Sequence, residues 1–326
     1  MLTFNNNSKK PLLALVGPTA VGKTALAIKV AQRLNTEIIS ADSAQVYRQL
    51  DIGTAKPSPG EQKAVTHHLI NLIDPDQPFS VADYQKLAYD TIDRLWSQSK
   101  LPFMVGGTGL YINAVIYRYA FGLKGTSAEL RKTYEQIADT EGLDQLYARL
   151  RSLDPEAATK IHPNDRKRII RALEVYTLEN KPISEQVTET GRQEQPYHPL
   201  IFALYMDREK LYRRIEDRVD NMLARGWLEE VRKLIRRGYN ENDPGMQILG
   251  YRQLLDYLKG KRDWEETRVE IKKQTRNLAK RQLTWFRRNK NITWLEMSKK
   301  EDLHYLTENI CNTVKEIYPC RANINI

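Results

Sequence analysis

GPTAVGKT, at Gly17–Thr24, decides the fold. It matches G-x-x-x-x-G-K-[ST], a loop whose backbone curls around phosphate oxygens. Immediately before it, PLLALV (11–16) is an apolar run of strand length, and immediately after it ALAIKVAQRL (25–34) has helical apolar spacing. A helix starting near Lys23 turns its positive end toward an anion. Lys23 adds a point charge, and the Thr24 hydroxyl is a ligand for Mg2+. Gly17, Pro18, Thr19, Ala20, Val21, Gly22, Lys23 and Thr24 are therefore expected to hold a diphosphate with Mg2+. Kinases, ATPases and GTPases all use such a loop. The motif alone names no reaction, and ATP is only its default occupant.

Further along, TEIISA (36–41) reads as a second strand ending at Asp42, and LPFMV (101–105) as a third, ending in Gly106-Gly107-Thr108-Gly109. A helix is expected near 81–99, and LIFALYM (200–206) reads as a returning strand. Alternation of strand and helix predicts an α/β fold: a P-loop NTPase-like parallel sheet flanked by helices. From about 123 to 195 strand signals vanish. Gly122, Gly125 and Ser127 mark the entry to this stretch, and Gly191, Pro196 and Pro199 its exit. The expected organisation is a catalytic core of residues 1–122 and 197–295, an inserted all-helical domain at 123–196, and a C-terminal tail or helix at 296–326. Ligands of open α/β sheets sit beyond the carboxyl ends of strands. A second strand close to the first would put Asp42 on the same crevice as the P-loop, as a Mg2+ ligand through water or as a base. The alternative is an Asx-turn cap.

The net charge is +10, and residues 208–290 alone hold 23 Lys+Arg against 13 Asp+Glu, an equal excess. A local basic excess suits a polyanionic partner, although a solvated helical surface has the same composition. No apolar run approaches bilayer length, and MLTFNNNSKK (1–10) lacks a signal core, so a cytoplasmic protein without membrane association is expected. Cys311 and Cys320 have no metal-binding spacing and are expected to be inert thiols. The absence of a coiled-coil pattern or an apolar surface stripe favours a monomer.

Several segments together resemble the tRNA dimethylallyltransferases (IPP transferase family). They are GPTAVGKT (17–24), ADSAQVYRQLDIGTAKP (41–57), VGGTGLY (105–111), HPNDRKRIIRALEVY (162–176), GYRQ (250–253) and TRNLAKRQLTWFR (275–287). They occur in the family's order and cover nearly the whole chain. The chain has no Cys/His metal spacing near its C-terminus, so it resembles the bacterial or organellar form rather than eukaryotic members with an added zinc finger.

The resemblance implies transfer of a dimethylallyl group from dimethylallyl diphosphate to N6 of adenine 37 in the anticodon loop of tRNA, with Mg2+. It implies that Gly17–Thr24 binds the donor's diphosphate, with Arg214 and Arg218 assisting. These two arginines are four apart on an expected helix and so share a face, though surface salt bridges explain them equally well. Asp42 matches the family's general base, with Lys23 and Thr108 also at the reaction. Asp42, Ser43, Ala44 and Gln45 match a tRNA-contacting strip, Thr108 and Arg131 match further tRNA contacts, and Lys167, Arg168, Ile169, Ile170 and Arg171 match another strip in the helical insertion. Within that last segment, Asn164 or Asp165 is placed to cap a helix, with Ile169, Leu173 and Tyr176 on its core face. A helix over Asp263 to Lys290 is expected to carry Arg276, Lys280 and Arg287 on one side, with Trp285 and Phe286 in the core. No catalytic role is expected of His67 or His68. Three alternatives remain at this point: an adenylate dimethylallyltransferase, a P-loop kinase for a small metabolite, and a non-enzymatic RNA-binding ATPase.

Overall fold

A computed structural model describes residues 9–119, 127–185, 196–298 and 302–318. Six parallel strands form one sheet: β1 (Lys10–Val16), β2 (Ile38–Ala41), β3 (His67–His68), β4 (Phe103–Gly106), β5 (Tyr197–Tyr205) and β6 (Ile292–Glu296), in the order β3-β2-β4-β1-β5-β6. Leu12–Val16 of β1 are all buried, as a strand covered on both faces requires. Register aligns the carboxyl ends: Val16 pairs Gly106, and Gly106 pairs Ala41. The P-loop and Asp42 thus emerge on the same edge with β4 between them, about 10 Å apart at the spacing of two strands.

Helix α1 (Lys23–Arg33) follows the P-loop and buries Leu26, Ala27, Val30 and Ala31 in the sheet's core, alongside α13 (Asp302–Ile317) at the other end of the chain. Next come α2 (Pro59–Ala64), α3 (Val81–Ser97) and α4 (Gly109–Ile116). Both α2 and α3 open on capping boxes, Ser58 with Glu61 and Ser80 with Asp83, which satisfy the first free N–H groups of each helix. After β5 come α9 (Arg208–Ala224), α10 (Trp227–Arg236), α11 (Tyr251–Leu258) and α12 (Trp264–Phe286). These enclose a second core around Trp227, Tyr251 and Leu254, onto which Val46, Tyr47 and Leu50 also pack.

The chain divides into two compact units, residues 1–116 with 197–326, and residues 117–196. The second contains α5 (Ala128–Thr140), α6 (Leu143–Leu153), α7 (Pro155–Lys160) and α8 (Arg166–Glu179), and among its described residues there is no strand. Its start, at Tyr117, precedes the glycines expected to mark it. Of those markers, Gly122, Gly125 and Gly191 lie outside the described residues. Asp165 provides the expected cap of α8, accepting from the Arg168 N–H.

Two strands run where none was expected. β3 is two residues long and exists through its pairing with β2, while β6 continues the sheet beyond β5. The helix expected to reach Lys290 stops at Phe286, just before β6. Cys311 is buried in α13, and burial pushes its thiol up to about 11, as an inert cysteine should behave; Cys320 lies outside the described residues. No described helix is long and apolar enough to cross a membrane.

Candidate active site

Gly22 ends the P-loop with φ of 109°, a value that side chains with a Cβ rarely adopt, and α1 begins at the next residue. The loop forms one wall of a cavity of about 410 Å3. Lys23 and Thr24 line it at the head of α1, Asp42 at the end of β2, Gly107 after β4, and Arg214 and Arg218 on α9. The carboxyl edge of the sheet therefore gathers residues far apart in sequence, with α9 adding Arg214 and Arg218 to the lining.

The electrostatics of this cavity are unbalanced. Lys23 Nζ donates to the carbonyls of Gly17 (2.9 Å) and Pro18 (2.7 Å), which are dipoles and not charges. Burial pulls its pKa down to about 7; the Asp42 carboxylate opposes that shift and Arg218 adds to it. Burial also lowers the pKa of Arg218, with Asp42 opposing and Arg214 reinforcing. Among the described residues, neither Arg214 nor Arg218 has a hydrogen bond or ion pair. Lys56 also lines the cavity but is spent internally, on Tyr47 O (2.8 Å), Asp51 Oδ1 (2.6 Å) and Asn71 Oδ1 (2.6 Å). Lys23, Arg214, Arg218 and the exposed Arg225 thus line the cavity against two carboxylates, Asp42 and a Glu61 already engaged by the Ser58 N–H and hydroxyl, and an anion is the missing counter-charge.

Asp42 forms the Asx turn and also reaches the cavity. Its Oδ1 accepts from the Ala44 N–H at 2.9 Å, an Asx turn, and the carboxylate still lines the cavity. Thr108 supports the same turn: its Oγ1 accepts from the Ser43 N–H (3.0 Å), and its own N–H donates to Ala41 O (3.1 Å). Behind Asp42, Tyr84 and Tyr111 stack at 3.9 Å between centroids. Burial raises both phenols far above the usual range, so they are neutral backing for the turn. Gln45 points inward, bonding Ser40 and the carbonyls of Thr54 and Ala55.

For a divalent cation the fit is specific. The described residues contain no group of three His, Cys, Asp or Glu able to cage a metal. The Thr24 hydroxyl and the Asp42 carboxylate share the cavity and are hard oxygen donors. That suits Mg2+, which keeps several waters and takes much of its coordination from a bound diphosphate.

A family model described as IPP transferase matches residues 45–289, and one described as isopentenyl transferase matches residues 10–76. The chain belongs to the IPP transferase family. A tRNA dimethylallyltransferase of Symbiobacterium thermophilum is 49% identical over 314 residues, covering 96% of this chain and 98% of the relative. One from Moorella thermoacetica is 50% identical over 296 residues, covering 89% and 91%. The crystal structure of the full-length tRNA isopentenylpyrophosphate transferase from Bacillus halodurans is 41% identical, with a TM-score of 0.70, covering 95% of this chain and 98% of that one. A eukaryotic dimethylallyltransferase described as acting on tRNA superposes with a TM-score of 0.80 at 29% identity, covering 94% and 79%.

Other residues of the family motifs lie outside this cavity. In the helical unit, Arg131 Nε (3.1 Å) and Arg171 (2.7 Å) both bond the buried Glu174 carboxylate. Ile169 and Ile170 face that unit's core, at 0% and 3% exposure, which removes them from any contact surface. Of the strip at 167–171, Lys167 and Arg168 are exposed. On α12, Arg276 is committed to Glu216 on α9 at 2.5 Å, leaving Lys280 and Arg287 as the exposed cations of that expected face. Phe286 is buried and Trp285 packs over Gly109, in keeping with core roles. His68 meets Glu37 at 2.5 Å on the edge strand β3, outside the cavity.

Sequence reasoning missed two residues that shape the site. Gln282, on α12, lines the cavity and bonds the P-loop. Glu230, on α10, accepts from the N–H groups of Asp51 (3.1 Å), Ile52 (2.8 Å) and Gly53 (3.3 Å), and from Tyr251 Oη (2.5 Å). It thereby holds the loop whose next residues, Thr54 and Ala55, line the cavity. A glutamine and a glutamate on amphipathic helices carry no local sign of such tasks.

Proposed function

We propose that this protein transfers the dimethylallyl group of dimethylallyl diphosphate to N6 of adenine 37 in tRNA, in the cytoplasm and as a monomer. The observation that carries the reading is the cavity where Lys23, Arg214 and Arg218 face Asp42. It offers binding for a departing diphosphate and a carboxylate to receive a proton. The N6 lone pair forms a bond to C1 of the dimethylallyl group. The C1–O bond breaks, and its electron pair leaves on the diphosphate. The N6 proton passes to the Asp42 carboxylate, whose Asx turn orients it. Lys23, Arg214, Arg218 and the P-loop N–H groups take up the developing negative charge. Mg2+, held by the Thr24 hydroxyl and the diphosphate, supplies further neutralisation when bound. A stacked base must be extruded from the anticodon loop to reach such a cavity. Lys167, Arg168, Lys280 and Arg287 are the exposed cations suited to RNA phosphates, with Ser43 and Thr108 beside the base.

The test supplies Mg2+ and labelled dimethylallyl diphosphate with either an anticodon stem-loop containing A36-A37-A38 or free AMP. Label is expected in the stem-loop, at A37. Label in AMP alone would replace this reading with adenylate prenylation, and phosphoryl transfer from ATP would overturn both.

A further inference from the structure

We propose that Gln282 is a positioning residue that ties the diphosphate-binding loop to the turn carrying Asp42; this rests on the function proposed above. Its amide spans two loops. Oε1 accepts from the Thr19 N–H of the P-loop at 2.8 Å, and Nε2 donates to the Gly107 carbonyl at 3.1 Å. Gly107 precedes Thr108, whose side chain and N–H hold Ser43 and Ala41 on either side of Asp42. The path from donor loop to base is therefore Thr19, Gln282, Gly107, Thr108, Ser43, with a hydrogen bond or peptide bond at each step.

Two further observations single out this contact. The space above Gly107 is filled by the Gln282 amide: a Cβ there would stand 2.3 Å from Nε2, and the nearest backbone atom, Gly17 O, would be 3.4 Å away. Gly107 has no left-handed φ, so its lack of a side chain is explained by that approach and not by backbone conformation. In addition, α12 is fastened to α9, which carries Arg214 and Arg218. Arg276 bonds Glu216, and Lys272 (2.7 Å) and Arg268 (3.2 Å) bond Asp220. One helix thus holds in register the loop for the leaving group, the cations opposite it, and the turn bearing the base.

In-line displacement is sensitive to this register, because misplacement by about 1 Å costs on the order of 100-fold in rate. Binding of a diphosphate alone does not engage the Asp42 turn and is less sensitive. Loss of the Gln282 bridge should therefore lower kcat more than it weakens diphosphate binding. A mere place-holder, displaced from the Thr19 N–H by the incoming anion, would behave oppositely: its removal would tighten binding.

Gln282→Met keeps length and volume but loses both bonds. Gln282→Glu keeps an acceptor for the Thr19 N–H but sets a carboxylate against the Gly107 carbonyl. Gly107→Ala pushes the amide away from its partner side. Prenyl transfer to the anticodon stem-loop gives kcat, and titration calorimetry with Mg2+ and pyrophosphate gives Kd. For Gln282→Met, kcat is expected to fall about 30-fold, within the range set by such misplacement, with Kd changed less than about threefold. Gln282→Glu puts a carboxylate into the anion-binding cavity, so it should lower kcat and weaken pyrophosphate binding together and is read only as the charge control. Gly107→Ala combined with Gln282→Met should be no worse than the worse single variant, since both cut one link. A kcat within about threefold of the unmodified protein, a Kd weakened as much as kcat, tighter pyrophosphate binding, or additive losses in the double variant would each overturn the proposal. If Gln282→Met does not fold, Gly107→Ala carries the same comparison. If the unmodified protein prenylates no RNA, the functional reading fails and this inference falls with it. Normal transfer by a matching Gln282→Met overturns the positioning role alone.

Discussion

The cations of the P-loop cavity and those of the helical unit 117–196 are organised on opposite principles. In the helical unit the charges gathered around Glu174 and Arg166 are matched by partners. Glu174, fully buried, takes Arg131, Arg171 and the Ser127 N–H. Arg166 bridges Glu135 (2.5 Å) and Asp139 (2.6 Å), and Lys160 pairs with Glu156 one turn earlier. In the cavity, Lys23 rests on carbonyls, Arg214 and Arg218 have no hydrogen-bonded partner among the described residues, and of the two carboxylates in the lining Glu61 is engaged by Ser58 while Asp42 acts on both Lys23 and Arg218. Paired charges stabilise a fold modestly and are complete in themselves. Unpaired cations held beside one another oppose folding, and what favours keeping them is an anionic ligand. The same residue type therefore has a structural reading in one region and a functional one in the other.

The largest expected effect falls on Asp42, the cavity acid not engaged in a helix cap. Asp42→Asn keeps an oxygen for the Ala44 N–H and hence the Asx turn, but it removes the proton acceptor. Turnover should fall by about 100- to 10,000-fold, the range of general-base catalysis, while binding of the stem-loop changes little. Gel-shift titration beside the prenylation assay checks this, and a comparable loss of RNA binding would make Asp42 structural. Next comes the contrast between arginines. Arg218→Met should weaken pyrophosphate binding about 10- to 100-fold, as expected for a charged hydrogen bond, without lowering the melting temperature. Arg171→Met should do the reverse: pyrophosphate affinity unchanged and stability reduced. Equal behaviour of the two variants in calorimetry and thermal melts would break the distinction.

Much of this was readable in the chain, and the limits have a physical cause. The P-loop, Asp42 and the four apolar strands β1, β2, β4 and β5 announce themselves through local pattern, because each depends on neighbours in sequence. The edge strand β3 has two residues and no pattern to read; it forms because β2 offers it a free edge. The strand β6, ITWLE, lies just past the expected end of a helix at Lys290, and its pattern is too short and irregular to have been assigned. Among site residues, Lys23 and Thr24 belong to a motif, whereas Gln282 meets Thr19 across 263 positions and Glu230 meets Ile52 across 178. Bonds from a side chain to a distant backbone N–H leave no periodicity. Burial sorted the rest: helical spacing placed Ile169 on the core face, and the structure places Ile170 there too.

A third prediction tests the structural half of the comparison. Burial alone would raise the pKa of Glu174, but hydrogen bonds from Arg171, the Ser127 N–H and Arg131 outweigh it and hold the carboxyl below its usual value. Its folded pKa is thus lower than its unfolded one. The resulting stability is present above the unfolded value near 4.5 and is lost as pH falls through the lowered folded value. Glu174→Gln should cost about 2 kcal/mol at neutral pH, discounted for the exposure of both arginines, and should flatten the acid limb of the stability curve. Urea melts between pH 3 and pH 7, followed by a probe in residues 127–185, would show it. An unchanged acid slope would mean that the arginines neutralise nothing of consequence there.

The smallest expected effect is also the most local. Thr108 Oγ1 is the acceptor for the Ser43 N–H, one residue from Asp42, in a position partly open to solvent. Thr108→Val preserves shape and removes that acceptor. Water can replace part of it, so the loss should be about 1 kcal/mol, or roughly fivefold in kcat/KM for the stem-loop. Thr108→Ser restores the hydroxyl without the methyl and should recover most of the rate. If Ser loses and Val keeps the rate, the methyl and not the hydroxyl matters, and Thr108 acts by packing. If Val loses and Ser recovers, the hydroxyl orients the Asp42 turn. The order of the cavity then depends on neutral hydrogen bonds made around charges that are themselves left free for the ligand.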